Sequence, residues 1–206
     1  MGAIFRREVR SYFTSPIGYI FLAAFYAYSG VMFANYSLES GYTRLDSVFS
    51  ALLIIIIVLI PVLTMRTISE EKRTKTDQCL LTAPVGLGSI VVGKFLAAFL
   101  IYIIAIAITG VFAVVVSAFG TPDWNVVVGN IVALALVGGA YIAIGIFCSS
   151  FTENQIVAAV ISFIALIFVS FLSTIGNLLP FEWLTTVCEK LSLIHISEPT
   201  RPISIS

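Results

Sequence analysis

The chain has 206 residues, of which 59% are hydrophobic and only 11% are charged. A soluble domain carries about 25% charged residues to cover its surface, so this composition excludes an ordinary soluble protein, and the mean hydropathy of +1.07 agrees. The formal net charge is zero, which argues against a nucleic-acid-binding protein. The sequence therefore predicts an all-α, polytopic membrane helix bundle.

The first predicted element is a short interfacial helix over residues 2–14. Apolar residues recur there at helical spacing and form one stripe, and three arginines lie off that stripe: Arg6, Arg7 and Arg10. This pattern is typical of a helix in the membrane interface, with its apolar face in the acyl chains and its basic face toward lipid phosphates. Pro16 ends the element, because a residue before proline disfavours the helical region. The alternative is a basic flank of the first span.

Five hydrophobic spans follow, each close to the roughly 20 residues needed to cross a bilayer. They cover about 17–36, 48–65, 94–117, 126–148 and 156–175. The fourth carries small residues that let helices approach closely, namely Gly138, Gly139 and Gly145. Their role is either packing within one chain or a dimer seam.

The positions of Lys and Arg predict the orientation of the spans. Eight lie in the N-terminal segment and the interval between spans two and three, whereas only Arg44 and Lys190 lie on the opposite side. We therefore expect a cytoplasmic N-terminus.

The predicted spans contain no Asp, Glu, His or Arg, and the three cysteines of the chain are scattered singly. Proton-coupled transporters usually place ionisable groups at membrane depth, so this composition argues against one. We predict no catalytic, cofactor-binding or metal-binding residue. The segment 88–94 matches GxxxxGK, but Phe95 stands where a P-loop needs Ser or Thr. Lys94 is better interpreted as an anchor that reaches the headgroups.

Residues 191–206 resemble translated sequencing adapter rather than protein. Residues 191–201, LSLIHISEPTR, match the in-frame translation of a common transposase-based adapter, and an index with further adapter bases would encode the rest. We expect residues 1–190 to be native and cut short of their own C-terminus; the alternative is a genuine polar tail. His195, the single histidine, lies in this tail and is therefore no catalytic or metal-binding candidate.

Residues 66–93 form the longest polar interval between the spans. Thr67 with Glu70 fits a capping box, and the acidic pair Glu70 and Glu71 suits a helix N-terminus. The charged run then passes into apolar residues before Pro84 ends the element. A short amphipathic helix with an exposed apolar end needs covering by lipid or by another protein, and the residues leave both open.

The stretch SEEKRTKTDQCLLTAPV at 69–85, followed by VGKFLAA at 92–98, resembles a loop of permease subunits of ABC-2-type ATP-binding cassette transporters. In that family the loop joins spans two and three. YFTSPIGY at 12–19 and TENQ at 152–155 are further matches. The resemblance covers residues 1–190 and is closest to the small gliding-motility-associated and nitrous-oxide-accessory permeases. At Lys75 many relatives carry Gly, a departure that alters the local loop geometry. Family members have a sixth span, and the adapter-derived truncation explains its absence.

The resemblance implies that two permease subunits, identical or different, form the pathway, and that two separate ABC ATPase subunits bind below them. The loop helix over 70–84 would couple the two. The chain would hydrolyse nothing itself, would need no cofactor and would lie in the cell (inner or plasma) membrane of a bacterium, most simply as part of an exporter. The coupling residues are Glu70, Glu71, Lys72, Arg73, Thr76, Asp77, Leu80, Leu81 and Pro84. The alternatives are a non-transporting membrane scaffold or assembly protein, and an intramembrane enzyme completed by the missing residues.

Overall fold

The structure is a computed structural model that describes residues 2–38, 46–75, 86–118 and 123–178. Within these ranges the backbone is helical or forms short turns, and no strand occurs there. The predicted all-α helix bundle is confirmed. The described ranges contain seven α-helices: α1 (Gly2–Thr14), α2 (Pro16–Phe33), α3 (Asp46–Thr64), α4 (Ser69–Thr74), α5 (Leu87–Ser117), α6 (Trp124–Ser149) and α7 (Gln155–Leu178). A π-helical turn, Ala34–Leu38, prolongs α2.

Four described stretches are long and apolar enough to cross a membrane, judged by length and composition. They are Pro16–Ser37, Ser47–Thr74, Gly88–Ser117 and Trp124–Ser149, and a shorter apolar stretch covers Gln155–Phe171. Each of the five predicted spans therefore lies on a helix. α5 begins ahead of the predicted residue 94, because Ile90 is buried and its turn belongs to the packed bundle instead of the loop.

The chain divides into two compact units, Met1–Leu166 and Ile167–Ser206. In the second unit the structure describes residues 167–178, which form the end of α7. The contacts among α1 to α6 lie within the first unit. There α6 packs on α5 and α3, α1 packs on α5, and α2 packs on α3.

Three glycines of α6, Gly138, Gly139 and Gly145, face other helices of the same chain. A Cβ on Gly138 would overlap the Tyr102 ring of α5, and one on Gly145 would overlap the Thr64 side chain of α3. A Cβ on Gly139 would lie 3.3 Å from Cε2 of Phe99. Each of these three glycines therefore allows a close approach to another helix of the same chain.

The break between α1 and α2 has a local cause. The Ser15 side chain accepts a hydrogen bond from the backbone N–H of Ile17 at 3.2 Å, and Pro16 occupies the first turn of α2. A side-chain cap followed by proline is a standard helix start. Pro61, by contrast, lies inside α3, and the helix continues past it to Thr64.

Candidate functional site: the polar end of the helix bundle

The short helix α4 follows α3 after a single turn and begins without the capping box that the sequence predicts. Its N-terminal cap is Ile68, whose side chain makes no capping bond. The Thr67 hydroxyl lies 3.5 Å from the Tyr12 hydroxyl instead, and the Glu70 carboxylate pairs with Arg66 at 2.5 Å. The capping-box prediction is therefore wrong, because both side chains have tertiary or i,i+4 partners that compete for them.

The N-terminal cap of α4 is a side chain at the C-terminal end of α6. The buried Ser149 hydroxyl accepts hydrogen bonds from the backbone N–H groups of Ile68 at 3.3 Å and Ser69 at 3.2 Å. It donates to the carbonyl oxygen of Met65 at 3.1 Å. A helix start leaves such N–H groups without partners, and here a side chain from another helix satisfies them.

A second bond ties α4 to α6. The Lys72 ammonium donates to the carbonyl oxygen of Ser150, immediately after the C-terminus of α6. A helix C-terminus has unpaired carbonyls and a negative dipole end, so a cation is favourable there. α4 is consequently attached to α6 at both of its ends.

Lys94 is buried at the same end of the bundle, with its side chain 2% exposed. Its ammonium lies 2.9 Å from Oε1 of Glu71 and 3.4 Å from Oε1 of Glu8, and it donates to the carbonyl oxygen of Thr67 at 2.7 Å. The prediction of an anchor that reaches the headgroups is wrong, because the two carboxylates and the carbonyl hold the ammonium inside the protein. The residues 88–94 of the GxxxxGK match lie within helix α5.

Arg7 completes an ion-pair cluster, which we define as Arg7, Glu8, Glu71 and Lys94. Its guanidinium lies 2.7 Å from Oε1 of Glu8 and 2.7 Å from Oε1 of Glu71. The hydrogen bond to Glu8 and the attraction of both carboxylates raise the pKa of Arg7, so its charge is fixed. All three arginines of the predicted basic face of α1 are exposed, and Arg7 in addition pairs with protein carboxylates.

Part of the apolar stripe of α1 also faces the protein. Tyr12 is 7% exposed, and its hydroxyl donates to the carbonyl oxygen of Leu63 at 3.2 Å. Burial raises the pKa of Tyr12 to about 12. A side chain at Gly93 would meet Cγ2 of Ile4 at 3.1 Å, which shows how closely α1 approaches α5. The stripe therefore packs on the bundle in addition to any lipid contact.

A cleft of about 330 Å³ lies beside these residues. Its charged lining is balanced, with three cations and three carboxylates: Arg7, Arg66, Lys94, Glu8, Glu70 and Glu71. Each of these side chains has an ion-pair partner within the lining. In the described part of the chain no three His, Cys, Asp or Glu side chains are placed to hold a metal ion.

The helix that the sequence predicts over 70–84 ends early, within the described residues, at Thr74. Lys75 follows with φ of 55° and ψ of 22°, a left-handed conformation that glycine adopts without steric cost. A glycine would therefore be free of strain at this position. Arg73 is exposed next to it. The other predicted coupling residues lie outside the described residues: Thr76, Asp77, Leu80, Leu81 and Pro84.

A comparison with protein families identifies the family of this chain. A family model described as an ABC-2 family transporter protein matches residues 3–203. The chain belongs to this ABC-2 transporter family. It is therefore a multi-pass membrane protein and a permease component of a transporter. Comparison with curated proteins and with solved structures gives no significant match. The matched range runs into the tail at 191–206, whose adapter origin stays a prediction.

Glu8, Lys94 and Ser149 of this ABC-2 protein belong to the site but were not among the predicted site residues. Glu8 is the only carboxylate of α1, and Lys94 is the only charged residue within the predicted spans. Burying a charge without a partner costs free energy, so the sequence could have suggested an ion pair between Glu8 and Lys94. Ser149 gives no comparable signal, because serine near a helix end is common and its partners are distant in sequence.

Proposed function

We propose that this chain is the membrane-spanning permease subunit of an ATP-driven exporter. It would couple ATP hydrolysis in a separate ATPase subunit to substrate movement, paired with a second permease subunit of the same or a different kind. Membership of the ABC-2 family supports the permease role. The observation that carries the coupling role is the attachment of α4, a short polar helix, to three helices of the bundle.

A coupling element must be rigidly attached to the spans that it moves, and α4 meets that requirement. It continues from α3, its Ser69 and Lys72 bind the end of α6, and its Glu71 pairs with Lys94 of α5. A push on α4 would therefore act on three apolar helices at once. The following residues 76–84 would supply the contact with the ATPase.

The charge at this end of the bundle supports a cytoplasmic location and hence access for an ATPase. The carboxylates of α1 and α4 are engaged in ion pairs, whereas five cations are exposed there: Arg6, Arg7, Arg10, Arg73 and Lys75. An excess of Lys and Arg is typical of the cytoplasmic side. We propose that the N-terminus and α4 face the cytoplasm of a cell with the chain in its inner or plasma membrane.

The proposal is tested by changing the predicted contact surface. The protein is co-expressed with a candidate ABC ATPase subunit from the same genome, and the complex is purified by a tag on the ATPase. In the variant Leu80→Asp with Leu81→Asp, we expect co-purification to fall at least about tenfold, because two carboxylates cannot be buried in an apolar groove. The matched control, Leu80→Ile with Leu81→Ile, keeps the apolar surface and should co-purify like the wild type.

Two results would contradict the function. If the wild-type chain binds no ATPase subunit, the permease assignment fails. If the aspartate variant co-purifies as well as the isoleucine variant, the ATPase does not dock on this loop.

A further inference from the structure

Lys94 is the one buried cation of the described chain, and it lies outside residues 70–84, the segment that would meet the ATPase. Its position is near the start of α5. Its carboxylate partners come from two other elements, Glu8 of α1 and Glu71 of α4. A third bond reaches the Thr67 carbonyl, in the turn between α3 and α4.

The charges of the ion-pair cluster cancel. Two cations, Arg7 and Lys94, face two carboxylates, Glu8 and Glu71, and each carboxylate contacts both cations. Removing one member of a buried pair leaves an uncompensated charge and is strongly destabilising, whereas replacing both members by neutral groups is often tolerated. The cluster can therefore be neutralised in a matched way without leaving a buried charge.

The geometry also constrains motion. α1, α4 and α5 each contribute at least one member, so none of them can slide past the others without separating an ion pair. α4 is only six residues long. By itself it would transmit a displacement poorly, because the turn of residues 65–68 could bend. The ion pair between Glu71 and Lys94 bridges that turn directly to α5.

We propose that Lys94 and Glu71 are positioning residues for energy coupling, which hold α4 against α5 so that a displacement of α4 reaches the third span as a rigid-body movement. This proposal rests on the function proposed above. It assigns the ion pair a mechanical role in addition to folding, and it predicts that a neutral, folded variant would assemble and hydrolyse ATP but would no longer move α5.

The test measures movement of α5 and needs no transported substrate. In a background with the three native cysteines replaced by alanine, Ser117→Cys places a thiol at the opposite, exposed end of α5. A membrane-impermeant maleimide labels this thiol in the complete complex, with and without ATP and vanadate. In Lys94→Met with Glu8→Gln, which leaves Glu71 paired with Arg7, we expect normal co-purification and ATPase activity, but a nucleotide-dependent change in labelling rate reduced about tenfold.

Two single variants serve as references. Lys94→Met alone leaves two carboxylates against one arginine, so assembly should fall relative to the double variant. Glu153→Gln removes an exposed carboxylate in the connection after α6 and should behave like the wild type in labelling and in assembly.

The proposal is overturned if the double variant keeps the wild-type response, since the ion pair would then serve folding alone. It is equally overturned if the double variant fails to assemble, or if nucleotide does not alter the labelling of the wild-type α5. Co-purification and ATPase activity of the wild-type complex test the permease function separately, so the two failures are distinguishable.

Discussion

The close contact between Gly138 of α6 and Tyr102 of α5 offers a direct test of how these two helices pack. A Cβ on Gly138 would overlap the ring carbons and the hydroxyl oxygen of Tyr102. The ring is fully buried, and its hydroxyl donates to the carbonyl oxygen of Leu134 at 2.7 Å. Tyr102 therefore cannot turn aside without losing this bond, so Gly138→Ala must separate the helices or break it.

The expected cost follows from these two routes. Overpacking a filled interior costs about 1–3 kcal/mol, and leaving a buried hydrogen-bonding group unsatisfied costs about as much. The gain from removing a helical glycine is at most about 1 kcal/mol. We therefore expect Gly138→Ala to lower the free energy of unfolding by about 1–2 kcal/mol, measured by thermal unfolding of the purified protein in detergent micelles.

Gly129 provides the matched control in the same helix. A Cβ there meets nothing within 4 Å, so Gly129→Ala should be neutral or slightly stabilising. In a Tyr102→Ala background the cost of Gly138→Ala should largely disappear, because the two substitutions would share one contact. If Gly138→Ala unfolds at the same temperature as Gly129→Ala, the packing argument is refuted.

Two further predictions concern α1 and α4. Lys75→Gly should stabilise the protein by about 1 kcal/mol, because the left-handed conformation strains any side chain; an equal gain in Lys75→Ala would contradict this explanation. Burial raises the pKa of Tyr12 from 10.0 to about 12, so the stability that its neutral phenol contributes is complete below pH 10 and is lost as the pH rises toward 12. Tyr12→Phe should flatten the pH dependence of thermal unfolding over that interval, and an unchanged pH profile would rule out Tyr12 as its source.

The helices of this protein were predictable from the sequence because lipid imposes a local rule. A chain in hydrocarbon must satisfy its backbone within each segment and present apolar side chains, so composition alone indicates where the spans lie. The break at Pro16 was also predictable from the sequence, because proline restricts the backbone of the residue directly before it. The alternation of apolar helices and short polar connections thus follows from residues adjacent in sequence.

The tertiary structure decided how charged and polar side chains are paired. Thr67 and Glu70 have the local spacing of a capping box, yet the cap of α4 comes from Ser149, which lies 80 residues after Ser69. Glu8 precedes Lys94 by 86 residues, and no local pattern connects them. Lys94 has the sequence context of a headgroup anchor, but the packing of α1 and α4 on α5 brings two carboxylates to it. Electrostatic attraction depends on distance in space, and only the folded chain fixes that distance.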